Sequence, residues 1–218
     1  MAEAGEDAQV DEQGDWLGPE RLLAFSDGVV AIALTLLVLP LAELVPEVAE
    51  PETSGLTVIT DNLAAIGSFV LSFAVIARFW AAHHRVFDRA RRVSHTLVGV
   101  NTAWLFTIVV LPFPTEMIAS FPEDPFTLRF YVATLFASSA LLTVTAVLVR
   151  RSLPGDEAQG LRNTAAGGTA LLLLLVLVVT LVAPSLGYWP LLLLFLTSPI
   201  ERVLGPLVER RLARPPSG

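Results

Sequence analysis

From Leu22 to Ala42 the chain is interrupted only by Ser26, Asp27, Thr35, Pro40 and a few small residues, and five further apolar runs follow at about 57–82, 95–118, 127–149, 164–184 and 189–208. Runs of this length match the roughly 20 residues that a helix needs to cross the hydrocarbon of a bilayer. Only helices and closed barrels satisfy their own backbone polar groups there, and runs this continuous are helical. The pattern therefore predicts an all-α membrane protein with six transmembrane helices per chain. A composition 54% hydrophobic and 16% charged, with mean hydropathy +0.66, leaves too little polar cover for a water-facing surface.

The ends read differently from the middle. Residues 1–18 carry Glu3, Glu6, Asp7, Asp11, Glu12 and Asp15, an acidic segment with too little apolar area to order itself, and it is expected to be a flexible cytoplasmic tail. Residues 19–208 form the six-helix membrane domain, and 209–218 is a short basic, Pro-rich cytoplasmic end. Pro19 suits the first turn of a helix. The first apolar run lacks the basic front and small-residue cleavage site of a secretory signal, so it is expected to stay. The run Leu171–Val179 is apolar all round and is expected to face lipid in part, whereas Pro190, Pro199 and Pro206 make the last span the least regular. No internal repeat is visible, so a pore on a symmetry axis requires several chains. No broken helix is expected in spans one to five.

Arginine placement sets the orientation, because short basic loops stay on the cytoplasmic side. Arg85, Arg89, Arg91 and Arg92 follow the second span, Arg150, Arg151 and Arg162 follow the fourth, and Arg202, Arg210, Arg211 and Arg214 close the chain. The alternate loops hold Glu43, Glu47, Glu50, Glu52, Asp61, Glu116, Glu123 and Asp124 against Arg129 alone. Both termini are thus expected in the cytoplasm.

Several chemistries are excluded or find no motif. The chain has no cysteine, which removes disulfides and thiolate chemistry, and no lysine, which removes the phosphate-loop motif. His83, His84 and His95 do not have the spacing of a zinc helix. Leu186-Gly187-Tyr188-Trp189 is a loop with interfacial aromatics and no carbonyl filter of the TVGYG type. Neither enzyme activity, a cofactor, a resident metal nor nucleic-acid binding is expected.

The residue in need of a partner is Asp27. Val29–Ala42 alone is too short to cross about 30 Å of hydrocarbon, so the helix includes Leu22–Gly28 and brings Ser26 and Asp27 into the span or to its cytoplasmic edge. A carboxylate there is costly unless paired. Arg21, Arg78, Trp80, His83, His84 and Asn101 lie on the same side of the membrane. Two readings stand: a hydrogen-bond cluster that locks the first three spans, or an ion site or proton relay. On the same helix Ile32, Thr35, Leu36 and Leu39 form one stripe. Asp27 lies five residues before Ile32, about 140° off that stripe at roughly 100° per residue. An apolar stripe of this kind is ordinary helix packing unless something else assigns it.

Arg21-Leu-Leu-Ala-Phe25-Ser26-Asp27-Gly-Val resembles the hallmark of the transmembrane protein 175 family, which includes the endolysosomal potassium channel. Phe79-Trp80-Ala-Ala-His83-His84-Arg85, Asn101 and Leu111-Pro112-Phe113-Pro114-Thr115 are similar to its single-repeat prokaryotic branch, over residues 21–115. The resemblance implies a homotetramer in the plasma membrane of a prokaryote, with four copies of helix 1 lining a central pore that passes potassium ions. It also implies a hydrophobic constriction or gate at Ile32, Leu36 and Leu39, selectivity influenced by Thr35, and a structural network of Arg21, Phe25, Ser26, Asp27, Trp80, His84 and Asn101. The alternatives are a proton-coupled secondary transporter using Asp27 and His84, or a membrane subunit without transport of its own. The missing repeat and unbroken helices count against the carrier. The orientation is testable directly: a cysteine placed at Ser217 of this cysteine-free chain is expected to resist membrane-impermeant thiol reagents in intact cells and to react after permeabilisation.

Overall fold

The computed structural model describes residues 18–48 and 54–153. They form seven helices: α1 (Pro19–Leu36), α2 (Leu39–Val48), α3 (Gly55–Asp61), α4 (Leu63–Phe87), α5 (His95–Val110), α6 (Pro112–Ser120) and α7 (Pro125–Arg151). No strand occurs among the described residues. Four stretches are long and apolar enough to cross a membrane: Pro19–Val45, Leu63–Phe87, His95–Ser120 and Pro125–Arg151. These correspond to the first four expected spans: the first, third and fourth run a few residues longer than expected, and the second is shifted toward the C-terminus. The two remaining expected spans, 164–184 and 189–208, the acidic tail 1–17 and the basic end 209–218 lie outside the described residues.

Local sequence sets most boundaries. Pro19 and Pro125 occupy first helical positions, where the missing N–H costs nothing. Ser94 and Asp124 cap α5 and α7, accepting from the backbone N–H groups of Leu97 at 3.1 Å and Phe126 at 3.2 Å. Expected span two is shortened at its start, because Ser54 caps a separate short helix, α3, before α4 begins at Leu63.

The expectation of unbroken helices is corrected. The first span is interrupted at Leu37–Val38 between α1 and α2, and the third at Leu111 between α5 and α6. Pro40, Pro112 and Pro114 supply the cause, since a proline ring removes the N–H that the carbonyl four residues earlier needs. At the first break Val38 N–H reaches back only to Thr35, at 3.4 Å, and at the second Leu111 N–H reaches Ile108, at 3.2 Å. The unbroken-helix argument against a carrier therefore falls.

The core is assembled around α7, the most enclosed span. α7 packs on α4, α5 and α6, and α1 leans on α4 and α5. Val30, Ala33, Ile76, Phe79, Trp104, Ile108, Leu135 and Leu142 belong to the main buried cluster. A second cluster, with Leu22, Val86, Phe87, Leu97 and Val149, closes the end of the bundle that carries the arginines. At the other end, a chain of hydroxyls crosses three helices. Thr115 donates to the carbonyl of Leu111 at 2.8 Å. That orients Ser72 to donate to Thr115 at 2.7 Å and Tyr131 to donate to Ser72 at 3.0 Å. Tyr131 is fully buried, so its ring carries packing and its hydroxyl carries direction. Tyr131→Phe is expected to destabilise the purified protein by about 1 kcal/mol, and Tyr131→Ala by about 3–5 kcal/mol. Thermal unfolding in detergent separates the two by a clearly larger fall in Tm for the alanine.

Candidate functional site: the polar brace and the outward face of the first span

Consecutive residues on a helix point about 100° apart, and α1 uses this at Ser26 and Asp27 to hold two neighbours at once. Ser26 is fully buried and donates to the carbonyl of Leu22 at 2.8 Å. Its oxygen accepts from Asn101 Nδ2 on α5 at 3.0 Å, and Asn101 Oδ1 lies 2.7 Å from His83 Nε2 on α4. Because the Asn101 amide nitrogen points to Ser26, its carbonyl oxygen is an acceptor, and His83 is the donor through Nε2. The result is a one-way chain, His83 to Asn101 to Ser26 to the backbone of α1, in which each proton has one place to go. The imidazole is held between rings, stacked on Trp104 at 4.2 Å and 7° and tilted against Phe87 at 4.4 Å.

Asp27 turns to α4. Its Oδ1 accepts from Trp80 Nε1 at 2.8 Å and lies 3.8 Å from His84 Nδ1. His84 also lies 3.9 Å from Asp88 through Nε2, and its ring tilts against that of Trp80 at 5.6 Å. Asp27 and His84 are 37% and 39% exposed, so this contact sits at the edge of the bundle, unlike the enclosed Asn101 chain. Asp27 is thus tied to α4 by a neutral donor at hydrogen-bond distance, with the imidazole a looser neighbour.

The structure brings Ser26, Asp27, Trp80, His84 and Asn101 together across α1, α4 and α5. Arg21 is exposed on the first turn of α1, and Phe25 is 61% exposed and faces away from the brace. His83, named among the partners of Asp27, joins the buried chain instead, and Trp104 was not anticipated. The signal for His83 was periodic: Ser72, Val75, Ile76, Phe79, His83 and Val86 form the buried stripe of α4, and His84 falls one residue off it.

The other side of the first span is open, although the expected stripe is not carried by one helix, since Leu39 lies beyond the break as the first residue of α2. Leu22, Ser26, Val30, Ala33 and Leu37 face inward, whereas Ile32 is 62% exposed and Thr35, Leu36 and Leu39 are exposed with it. The Thr35 hydroxyl donates to the carbonyl of Ile32 at 2.7 Å, which leaves its lone pairs outward. The first span is the least enclosed of the four, with 17% of its most apolar stretch buried against 50% for the last. No group of three or more His, Cys, Asp or Glu able to hold a metal occurs among the described residues.

Apolar spans braced internally by buried polar side chains define a polytopic helical membrane protein. Residues 21–112 match the family described as endosomal/lysosomal potassium channel TMEM175, so this segment, which contains the whole brace, belongs to that family. The chain is 40% identical over 106 residues to a potassium channel of Chamaesiphon minutus, covering 48% of this chain and 51% of the relative. It is 32% identical over 105 residues to the endosomal/lysosomal proton channel TMEM175 of Danio rerio, covering 48% of this chain and 20% of the relative. In sequence, the alignment thus spans about half the length of the bacterial relative and a fifth of the vertebrate one. The fold is similar to the crystal structure of a lysosomal potassium-selective channel TMEM175 homolog from Chamaesiphon minutus, with TM-score 0.63 and 23% identity, over 90% of this chain and 98% of that one.

Asn101→Ala is expected to cost about 1–3 kcal/mol by orphaning His83 Nε2 and the Ser26 oxygen together. Ser26→Ala is expected to cost less, since Asn101 keeps its partner on α4. Thermal unfolding of the solubilised variants ranks them.

Proposed function

We propose that the chain is the subunit of a passive cation channel, selective for potassium, in which four copies of α1 surround a central pore. The observation that carries this reading is the exposed stripe Ile32, Thr35, Leu36 and Leu39 on the span least enclosed by its own chain, on the face turned away from the Asp27 brace. A bilayer-spanning helix anchored along one side and bare along the other needs lipid or further copies against it, and a pore helix needs one rigid side and one free side. In a tetramer, rings of Ile32, Leu36 and Leu39 narrow the path, offer ions no oxygen to replace lost hydration, and gate by excluding water. Thr35 is the polar member of the stripe, and its outward lone pairs suit a partly dehydrated cation. Ser26, Asp27, Trp80, His84 and Asn101 form the structural set that fixes the rotation of α1 about its axis. The names of the relatives, potassium channel and proton channel, support ion conduction. The full subunit has six membrane spans, an acidic tail over 1–18 and a short basic end over 209–218. Its place is the plasma membrane of a prokaryote, with both termini cytoplasmic.

A proton-coupled carrier is the second reading, favoured by the 3.8 Å approach of His84 to Asp27 and by the breaks at Leu37 and Leu111. Reconstitution into planar bilayers under a potassium/sodium gradient decides between them. Unitary currents with a potassium-directed reversal potential are expected; turnover-limited flux without unitary steps would support the carrier. Ile32→Asn is expected to wet the constriction and raise conductance, and Thr35→Ala to shift the permeability ratio more than the expression level. Parental currents in both variants would remove α1 from the conduction path.

A further inference from the structure

Away from the brace, the two proline-linked breaks face each other across a cavity of about 240 Å³. Leu37, Pro40 and Leu41 line it from the first span, Phe69 from α4 and Pro112 from the start of α6. At about 30 Å³ per water, this is room for a ligand of several heavy atoms, well beyond a single dehydrated ion.

The polar lining is rich in acceptors. Asn62 Nδ2 donates to the carbonyl of Val58 at 2.8 Å, Ser68 to that of Ala65 at 2.8 Å and Thr115 to that of Leu111 at 2.8 Å. Ser120 donates to Glu116 Oε1 at 3.2 Å. The hydroxyl protons of Ser68, Thr115 and Ser120 are therefore used inside the protein, and the cavity is offered their lone pairs, the second oxygen of Glu116 and the Asn62 amide with one N–H left over. Glu116 is the single charged side chain in the lining. It stands at the middle of α6, exposed at the mouth of the cavity.

We infer that this cavity is a binding site for a small amphipathic organic cation, a primary ammonium with a short alkyl chain. Its N–H groups meet the acceptors and Glu116, and its alkyl part fills the wall made by Leu37, Leu41 and Phe69. The class follows from charge complementarity: an anion meets Glu116 with only the second N–H of Asn62 to receive it, a neutral alcohol leaves the charge of the carboxylate uncompensated, and a bare metal ion leaves most of the apolar wall uncovered. The site does not depend on conduction, so binding tests it separately from the channel reading.

The probe is n-butylammonium chloride, titrated calorimetrically into the full chain in detergent, with potassium chloride at equal ionic strength as reference. Saturable binding of one equivalent per chain is expected. It should weaken about tenfold in Glu116→Gln and for n-butanol in place of the amine, as loss of a charge-assisted hydrogen bond requires. Ala119→Phe, which fills the cavity without touching the charge, should abolish it. Non-saturable uptake, equal heat from potassium alone, or binding unchanged in Glu116→Gln would each overturn the assignment. Loss of binding in Ile32→Asn with Glu116→Gln unaffected would move the ligand to the exposed face of α1, and overturn it as well.

Discussion

Inside a bilayer a polar side chain has no water to fall back on, and the hydrogen bond from Asn101 to Ser26 is the point at which this constraint shapes the molecule. Apolar packing cannot by itself fix how one transmembrane helix is rotated against another, because lipid tails are as good a neighbour as leucine. A directional bond can. Asn101 offers one donor and one acceptor to two different helices, and the neighbouring Asp27 to Trp80 contact fixes α1 from a second direction. Two bonds roughly 100° apart leave a helix no freedom to roll.

That rotational lock explains why the brace and the exposed stripe are two sides of one feature. If α1 rolled by a single residue position, Ile32 and Leu36 would trade places with neighbours on the helix surface, and the outward face would lose its apolar line. The helix is thinly packed by its own chain, so packing alone supplies little resistance. Interhelical hydrogen bonds in membranes average only about 0.6 kcal/mol each, yet breaking one here strands partners that have no substitute. The energetic asymmetry favours orientation over bulk stability: the bonds add little in place and cost much when misplaced.

The division between what was legible in the sequence and what was not follows the range of each interaction. The four described spans could be read because hydropathy is a property of a segment alone, and residues 21–112 carry a motif specific enough to place them in a family. The grouping of Ser26, Asp27, Trp80, His84 and Asn101 was legible because burying a carboxylate demands partners on the same side of the membrane. The choice of His83 over His84 for the buried chain needed the helical phase of α4, a difference of one residue. The Tyr131, Ser72 and Thr115 chain was hidden, since small hydroxyl residues in apolar helices usually bond back to their own backbone and only the packing of α4 on α6 and α7 turns them to one another. The breaks at Leu37 and Leu111 were underestimated although Pro40 and Pro112 were in view, because a membrane helix tolerates a proline and its consequence depends on what receives the freed carbonyl.

Those breaks also bear on how a braced helix can still change state. The polar ties sit at Ser26 and Asp27, near the start of α1, whereas the interruption comes after Leu36. The part between is a rigid lever with its fixed end at the brace and its compliant end at Leu37 and Val38, where the hydrogen-bond ladder is already weakened. Leu39 therefore sits beyond the break, on α2, while Ile32 and Leu36 share a continuous helix with Asp27. The two ends of the first span are therefore unequal: the brace orients Ile32, Thr35 and Leu36 directly, and Leu39 only across the break.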